Sequence, residues 1–334
     1  MTNTSSQIAF LFPGQGSQTV GMGKELAENY PVARRTFEEA DETLGYKLSE
    51  LCFEGPEEKL KLTEITQPAI LTASVAAWRV LEEKGLKPEL VADYVAGHSL
   101  GEYSAHVAAG TLAFADAVRT VRNRGRYMQE AVPVGVGAMA AILGMTFDKV
   151  SEISNEAAQG EVCQAANINS PEQIVISGHA GAVNRAIKLA TDRGAKKAIS
   201  LPVSAPFHCS LMQPAQERLA ADLGALSFQD PSFPVVCNVD AAVVDSAEAA
   251  RGALIRQVTG SVKWEPSVRL LIDRGASLFV EVGPGKVLWG LMRQIDRSKT
   301  CLTVGDEASL QKTLAQVAAR SGLCGEQCRT EGAA

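Results

Sequence analysis

The residues best placed to do chemistry form the segment Gly97-His98-Ser99-Leu100-Gly101, in which one serine stands between two glycines. An apolar run at residues 91–96 precedes this segment, and a helical pattern at residues 102–109 follows it. Glycines permit a tight turn between a strand and a helix, and such a nucleophile elbow exposes the serine hydroxyl. The helix would also point its first backbone N–H groups at an oxyanion. We therefore predict that Ser99 is a nucleophile rather than part of a plain turn.

A catalytic serine needs a base, and the sequence offers four histidines. His98 adjoins the serine on the turn, so its ring should point away from the hydroxyl. His106 lies further along the helix, roughly 10 Å away at a rise of 1.5 Å per residue. His179 falls in a segment that resembles a separate subdomain, where a surface or packing role is more usual. Elimination and position leave His208 as the predicted base.

The sequence leaves the partner of this base open. Asp116, Asp148 and Asp192 precede His208, but none has a motif around it. A backbone carbonyl can orient a catalytic histidine instead of a carboxylate. If the histidine titrates near its ordinary value of about 6.5, acylation should decline as the pH falls through that value.

Short β-like runs that alternate with helical patterns predict the body that positions these residues. The runs are residues 8–12, 91–96 and 278–282, and each ends in a turn that contains glycine. Strands that alternate with helices favour an α/β fold with a mainly parallel sheet and helices on both faces.

The segment between residues 137 and 200 has a different pattern. Strand-like runs at 138–143, 161–166, 173–178 and 195–201 are interleaved with helical patterns at 147–158 and 180–193. This βαββαβ order is typical of a ferredoxin-like unit. We predict a discontinuous catalytic body at residues 5–130 and 200–315, a ferredoxin-like subdomain at 131–199, and a disordered tail at 316–334.

Composition limits the classes of function. The chain has 334 residues, 46% of them apolar, which is enough to bury a full core. Its net charge of −6 argues against nucleic-acid binding. The seven cysteines are scattered and odd in number, so reduced thiols are favoured over disulfides or a zinc site. The amino terminus has no basic region typical of a signal peptide, and the longest apolar stretch is too short to span a bilayer. We expect a cytoplasmic protein that binds no membrane and no metal.

Five motifs, in order along the chain, carry a resemblance to a known family. They are Gly14-Gln15-Gly16-Ser17-Gln18, Gly97-His98-Ser99-Leu100-Gly101-Glu102-Tyr103, Arg124-Gly125, Phe207-His208 and Glu281-Val282-Gly283-Pro284-Gly285. The sequence resembles malonyl-CoA:acyl carrier protein transacylases, which belong with the acyltransferase domains of fatty acid and polyketide synthases. The resemblance runs from about residue 7 to about residue 315, and it implies a hydrolase-like α/β body.

The resemblance implies a ping-pong acyl transfer. Ser99 would attack the thioester of malonyl-CoA while His208 takes its proton, and the phosphopantetheine thiol of holo acyl carrier protein would resolve the malonyl-serine ester. The backbone N–H groups of Gln15 and Leu100 would form the oxyanion hole. No bound cofactor is implied, since the coenzyme A thioester is the substrate.

The resemblance assigns the malonyl carboxylate to Arg124, and the helical pattern supports a special role for this residue. Ala117, Val121, Arg124 and Met128 share one helical face, on which the arginine is the one charge. A buried charge needs a partner, and a guanidinium matches a carboxylate in bidentate geometry. The alternative is a salt bridge to an acid of the protein itself.

Four further site residues follow from the resemblance. Phe207 would crowd a 2-methyl branch on the substrate. Asn167 and Asn169 match two asparagines near the site, although turn formation beside Ser170-Pro171 explains them equally well. Lys263 stands where many bacterial members have glutamine, at a position whose main-chain carbonyl would orient the histidine.

The acyl carrier protein is expected to be acidic, and a basic segment offers it a docking surface. The basic residues between 179 and 200 are Arg185, Lys188, Arg193, Lys196 and Lys197. A solvated charged face is the usual meaning of such a run. The rival functions are a serine thioesterase or esterase, which has no need of Arg124, and a non-catalytic carrier-protein binder, which has no need of Ser99 and His208.

Overall fold

The computed structural model describes residues 7–86, 93–203 and 205–321. Its strands are β1 (Gln7–Phe12), β2 (Tyr94–Gly97), β3 (Gly137–Leu143), β4 (Cys163–Ser170), β5 (Gln173–His179), β6 (Lys197–Ser200), β7 (Val235–Cys237), β8 (Ala242–Val244), β9 (Ala276–Val282) and β10 (Thr300–Val304). Its α-helices are α1 (Lys24–Asn29), α2 (Pro31–Leu44), α3 (Leu48–Glu54), α4 (Glu57–Leu60), α5 (Thr63–Glu83), α6 (Leu100–Ala108), α7 (Phe114–Glu130), α8 (Phe147–Ala158), α9 (Ala180–Asp192), α10 (Gln213–Gly224), α11 (Ala247–Gln257), α12 (Trp264–Asp273), α13 (Val287–Ile295) and α14 (Glu307–Ser321).

The larger sheet has the strand order β10-β9-β1-β2-β7-β8. All neighbouring pairs in it are parallel except the edge pair β7–β8. Central strand β1 is apolar on both faces because both faces are covered by helices. Phe10 and Phe12 pack on Trp78 of α5, whereas Ala9 and Leu11 belong to the core beneath α12 and α13. The predicted α/β body with a mainly parallel sheet is therefore confirmed.

The smaller sheet is antiparallel, with the order β4-β5-β3-β6. Together with α8 and α9 it has the predicted βαββαβ order, and it encloses a core of its own. Strand β4 continues to Ser170, past the predicted end at residue 166, so Asn167 and Asn169 lie within a strand. Backbone hydrogen bonds from Ile168 N–H to Val262 O and from Val262 N–H to Ala166 O join this strand to the larger body.

The carboxyl-terminal helix extends further than the sequence analysis expected. Helix α14 continues to Ser321, so residues 316–321 of the predicted tail are helical. Residues 322–334, which include Cys324 and Cys328, lie outside the described residues. In the part of the chain that the structure describes, no helix is long and apolar enough to cross a membrane. The same residues contain no group of three or more His, Cys, Asp or Glu side chains that could hold a metal ion.

The two glycines of the elbow are required by close backbone packing. A Cβ atom on Gly97 would overlap the carbonyl group of Gly101, and one on Gly101 would overlap the carbonyl oxygen of Phe12 at the end of β1. The turn between β2 and α6 is therefore pressed against the neighbouring strand. Side chains at these positions would move Ser99 away from the sheet edge.

Replacing Gly101 by alanine should destabilise the protein, because the new methyl group meets backbone atoms that have no room to shift. We expect Gly101→Ala to lower the free energy of unfolding by about 2 kcal/mol or more. The matched control is Gly224→Ala at the end of α10, where nothing lies within 4 Å of the added Cβ. This control should keep or slightly raise stability, by up to about 1 kcal/mol. Urea unfolding of both variants makes the comparison, and equal stabilities would contradict the packing argument.

Candidate active site

Ser99 occupies the turn between β2 and α6 in a strained backbone conformation. Its φ of 51° lies in the left-handed region that non-glycine residues rarely adopt. The side chain of Asn238, which follows β7, holds the turn in place. Its Oδ1 accepts a hydrogen bond from Ser99 N–H at 2.7 Å, and its Nδ2 donates to Gly97 O at 2.7 Å. The side-chain amide of Asn238, bonded to both sides of the elbow, therefore holds the strained conformation in place.

The predicted base lies against the predicted nucleophile. Ser99 Oγ is 2.7 Å from His208 Nε2, which is hydrogen-bond distance. On the other side of the ring, His208 Nδ1–H donates to the backbone carbonyl of Gln257 at 2.9 Å. This bond selects the tautomer in which Nε2 is free to accept the serine proton. The partner that the sequence left open is therefore a carbonyl and not an aspartate.

The expectation that the carbonyl of Lys263 orients the histidine is wrong. Lys263 precedes helix α12, and its carbonyl accepts hydrogen bonds from both N–H and Oγ–H of Ser267. The orienting carbonyl belongs to Gln257, the last residue of α11. Gln257 supplies both this carbonyl and an amide side chain to the site, so Lys263 does not stand in place of the site's glutamine.

None of the other three histidines forms a hydrogen bond with the Ser99 hydroxyl in the described structure. His98 Nε2–H donates to Asn169 Oδ1 at 2.8 Å, so its ring points away from the serine as predicted. His106 is completely buried, and burial lowers its pKa to about 4. His179 Nδ1 accepts a hydrogen bond from Val162 N–H within the small subdomain. Elimination by sequence therefore selected the histidine that the fold brings to the serine.

Arg124 is the most unusual group in the site. It is 1% exposed, and its partners are neutral. Nη1 donates to Gln67 Oε1 at 2.8 Å, and Nη2 donates to Gln257 Oε1 at 2.9 Å and to Ser99 Oγ at 3.1 Å. The alternative of an internal salt bridge is not found, since none of the ion pairs between described residues includes this arginine. A buried cation beside the nucleophile is therefore available to an anion from outside.

The backbone around the elbow supports the predicted role of Leu100 in an oxyanion hole. Ser99 N–H is taken by Asn238, Gly101 N–H donates to His98 O, and Glu102 N–H donates to Ser99 O. Leu100 is the first residue of α6, where N–H groups have no partner within the helix. Of these four successive N–H groups, that of Leu100 is the one left for a ligand.

The loop after β1 brings Gln15 to the same place. A Cβ on Gly14 would overlap the carbonyl oxygen of His98, so this loop lies directly on the elbow. Gln15 and Leu100 both line the cavity that contains Ser99. Their predicted pairing as two oxyanion donors remains a prediction that fits this arrangement.

One cavity of about 280 Å³ collects the predicted residues. All of them except Lys263 line it, namely Gln15, Ser99, Leu100, Arg124, Asn167, Asn169, Phe207 and His208. Much of the remaining wall is apolar, with Met128, Val175 and Leu288 among its side chains. Phe207 is 8% exposed and narrows the cavity beside the base.

Sequence reasoning missed Gln67, Glu102, Asn238 and Gln257, which hold the nucleophile, the base and the arginine. A signal for one of them was present. Gln257 follows Ala250, Ala253 and Leu254 on the buried stripe of α11, where a polar side chain is out of place. The same argument had selected Arg124 on its own helix.

The predicted docking surface is less positive than its sequence suggested. Three of its five basic residues form ion pairs with glutamates that lie outside the 179–200 window. The pairs are Arg185–Glu161 at 2.7 Å, Arg193–Glu156 at 2.6 Å and Lys196–Glu172 at 2.6 Å. Lys188 and Lys197 are exposed.

A serine–histidine pair at an elbow of a parallel sheet, beside a buried arginine, defines an enzyme of the acyl-transfer class. Comparison with known families agrees, because a family model described as an acyl transferase domain matches residues 9–323. The chain belongs to the acyl transferase family.

Named relatives are similar over almost their whole length. The malonyl CoA-acyl carrier protein transacylase of Bacillus subtilis is 50% identical over 307 residues, which cover 92% of this chain and 96% of the relative. The transacylase of the same name from Escherichia coli K12 is 48% identical over 309 residues, covering 92% and 99%.

Solved structures of transacylases share the fold. The malonyl CoA-acyl carrier protein transacylase of Coxiella burnetii superposes with a TM-score of 0.91 at 45% identity, covering 94% of this chain and 98% of that one. A malonyl-transacylase in complex with a type II PKS acyl-carrier protein gives a TM-score of 0.90 at 47% identity, covering 93% and 100%. The hydrolase-like body with its small antiparallel subdomain is therefore confirmed.

The pH dependence of serine reactivity should differ from the sequence-based expectation. Burial, assisted by the charge of Arg124, lowers the pKa of His208 to about 3. The neutral, proton-accepting form therefore persists as the pH falls well below 6.5. We expect the rate of Ser99 labelling by phenylmethylsulfonyl fluoride to show no decline centred near pH 6.5. Labelling reactions between pH 5 and 8, quenched at set times and analysed by intact mass spectrometry, measure this rate. His208→Ala is the unreactive control. A fall of about tenfold or more between pH 6.5 and pH 5 would contradict the depressed pKa.

Proposed function

We propose that this protein transfers the malonyl group from malonyl-CoA to the phosphopantetheine thiol of holo acyl carrier protein. The observation that carries the proposal is Arg124, a buried cation with neutral partners, whose Nη2 lies 3.1 Å from the nucleophile Ser99 Oγ. The names of the relatives support the same substrate and acceptor. The product is a building block for fatty acid or polyketide synthesis.

In the first half-reaction Ser99 Oγ attacks the thioester carbonyl and His208 Nε2 takes its proton. The N–H groups of Gln15 and Leu100 donate to the oxyanion of the tetrahedral intermediate. The carbon–sulfur bond then breaks, and the coenzyme A sulfur leaves with the proton that His208 returns. A malonyl-serine ester remains.

In the second half-reaction the thiol of the carrier protein attacks this ester. His208 Nε2 accepts the thiol proton, the carbon–oxygen bond to the serine breaks, and the proton passes to Ser99 Oγ. The enzyme regains its starting state, and the malonyl group is bound as a new thioester. Malonyl-CoA and the carrier-protein thiol thus use the same site in turn. The proposed reaction needs no bound cofactor.

The distance between the guanidinium and the hydroxyl matches a short acyl group with a terminal acid. In a malonyl group the carboxylate is one methylene away from the carbonyl carbon that is attacked. A site for this group must therefore place its anion-binding cation next to its nucleophile, as Arg124 and Ser99 are placed. A guanidinium holds a carboxylate in planar, bidentate geometry, which also orients the thioester. Phe207, on the cavity wall, would restrict branches on the methylene carbon.

We place this activity in the cytoplasm and propose the basic segment of the small subdomain as a contact for the carrier protein. Four buried, unpaired thiols among the described cysteines fit a reducing compartment. In the basic segment, Lys188 and Lys197 are the residues on which a local attraction would depend, because the other three already face glutamates.

Arg124→Ala should separate this function from that of a serine esterase. Loss of the guanidinium leaves the malonyl carboxylate without a partner in a mostly apolar cavity, so kcat/KM for malonyl-CoA should fall by at least about ten- to a hundredfold. Acetyl-CoA has no carboxylate, and its use should change little or improve. Initial rates of serine acylation with both donors, followed by intact mass, make the comparison. Arg119→Ala on the same helix is the control, since Arg119 is exposed and paired with Asp116. Equal losses for both donors would contradict the assignment.

Charge reversal at Lys188 and Lys197 should weaken the second half-reaction alone. An acidic carrier protein would meet like charges, so its KM should rise by several-fold and its salt dependence should decrease. The rate of acylation by malonyl-CoA should be unchanged, because neither residue lines the cavity. Steady-state transfer to holo carrier protein at two salt concentrations measures the effect. Unchanged carrier kinetics would leave the segment an ordinary solvated face.

A further inference from the structure

Glu102 is a buried carboxyl group that the proposed reaction does not use. It lies on α6, three residues after the nucleophile, and its exposure is 0%. Burial raises its pKa to about 7, because a carboxylate far from water is costly. None of the ion pairs between described residues includes it. The fold therefore keeps an expensive group directly beneath the active site.

The carboxyl group joins the two residues that hold the site together. Its Oε2 accepts hydrogen bonds from Asn238 N–H at 2.9 Å and from Gln257 Nε2 at 2.8 Å. Asn238 bridges the elbow around Ser99, and Gln257 bonds both His208 and Arg124. One acceptor oxygen is therefore bonded directly to the two residues that support the nucleophile, the base and the anion-binding cation.

The second of these bonds determines which way the Gln257 amide faces. The oxygen and nitrogen of a glutamine amide have nearly the same shape, so neighbouring donors and acceptors decide its orientation. Gln257 Nε2 donates to Glu102 Oε2 and to Ser99 O at 3.0 Å, which leaves Oε1 to accept from Arg124. In the opposite orientation the amide nitrogen would face the guanidinium, and the amide oxygen would face two acceptors.

We propose that Glu102 is a positioning residue, whose Oε2 directs the Gln257 amide oxygen at Arg124 and keeps the Gln257 carbonyl on His208. The part of this proposal that concerns Arg124 rests on the proposed function. The part that concerns the alignment of His208 with Ser99 does not. A carboxyl group suits this place because Oε2 accepts two hydrogen bonds without offering a donor. Its other oxygen, Oε1, has no partner among the described residues, so the two bonds to Oε2 are what the side chain contributes.

The test compares loss of the acceptor with loss of the charge alone. Glu102→Ala removes both bonds, whereas Glu102→Gln keeps an amide oxygen that can accept them. In Glu102→Ala we expect the ratio of kcat/KM for malonyl-CoA to that for acetyl-CoA to fall by about tenfold or more, because small displacements of aligned groups are costly. The rate of Ser99 labelling by phenylmethylsulfonyl fluoride, per folded protein, should fall by a similar factor. Glu102→Gln should stay within about threefold of wild type in both measurements, as the hydrogen bonds that align the site are kept.

Glu281→Ala is the matched control for the loss of a buried acid. Glu281 is also 0% exposed, and its carboxyl oxygens accept from the N–H groups of Leu288 and Trp289. This variant should lose stability but keep the donor ratio and the labelling rate of its folded fraction.

Two results would overturn the positioning role. One is a Glu102→Ala protein whose folded fraction keeps both the donor ratio and the labelling rate, which would make Glu102 purely structural. The other is a Glu102→Gln protein as impaired as Glu102→Ala, which would assign the effect to charge. A wild type that accepts no malonyl group would refute the proposed function, and the labelling rates would still decide the role of Glu102.

Discussion

The structure depends on one buried positive charge that forms no ion pair with any acid among the described residues. Arg124 is surrounded by amide oxygens, a hydroxyl and the face of Tyr103, 5.6 Å from its guanidinium carbon. These acceptors bond Nη1 and Nη2 and leave the charge in place, and Nε has no partner among the described residues. A carboxylate at the same position would occupy the site. The same charge helps to keep His208 unprotonated. One residue therefore attracts the anionic end of a substrate and preserves the base that activates the serine.

The parts of this arrangement that the sequence predicted are those encoded over short stretches. The elbow requires only a few consecutive residues, with glycines where Cβ atoms would overlap the backbone. Arg124 was visible because one helical turn relates it to apolar neighbours, and His208 was found because few histidines exist. The alternation of short strands and helices likewise predicted the mainly parallel body and the small subdomain, although β7, β8 and β10 of the larger sheet were not among the predicted runs. The boundaries of the predicted elements moved by only a few residues, as at the end of β4.

The supports of the site could not be predicted because they join distant parts of the chain. Asn238 is 139 residues from the serine that it holds, and Gln257 is 158 residues away. A motif match located the histidine-orienting carbonyl at Lys263, and the actual carbonyl ends helix α11, six residues earlier. A count of charges within 179–200 overlooked glutamates that reach the same surface from other elements. In each case the missing information was three-dimensional pairing.

The small subdomain begins on β3 and ends on β6, and these two strands pair side by side, with Leu143 opposite Lys197 and Ala140 opposite Ser200. Its entrance and exit are therefore neighbours, and it has a core of its own. It contributes Asn167, Asn169 and Val175 to the cavity wall, whereas nucleophile, base and arginine belong to the larger body. Recombination between the genes of related enzymes can therefore exchange this unit as a whole and replace one wall of the cavity in a single event. The acyl groups that the cavity admits can then diversify while the catalytic residues of the larger body stay the same.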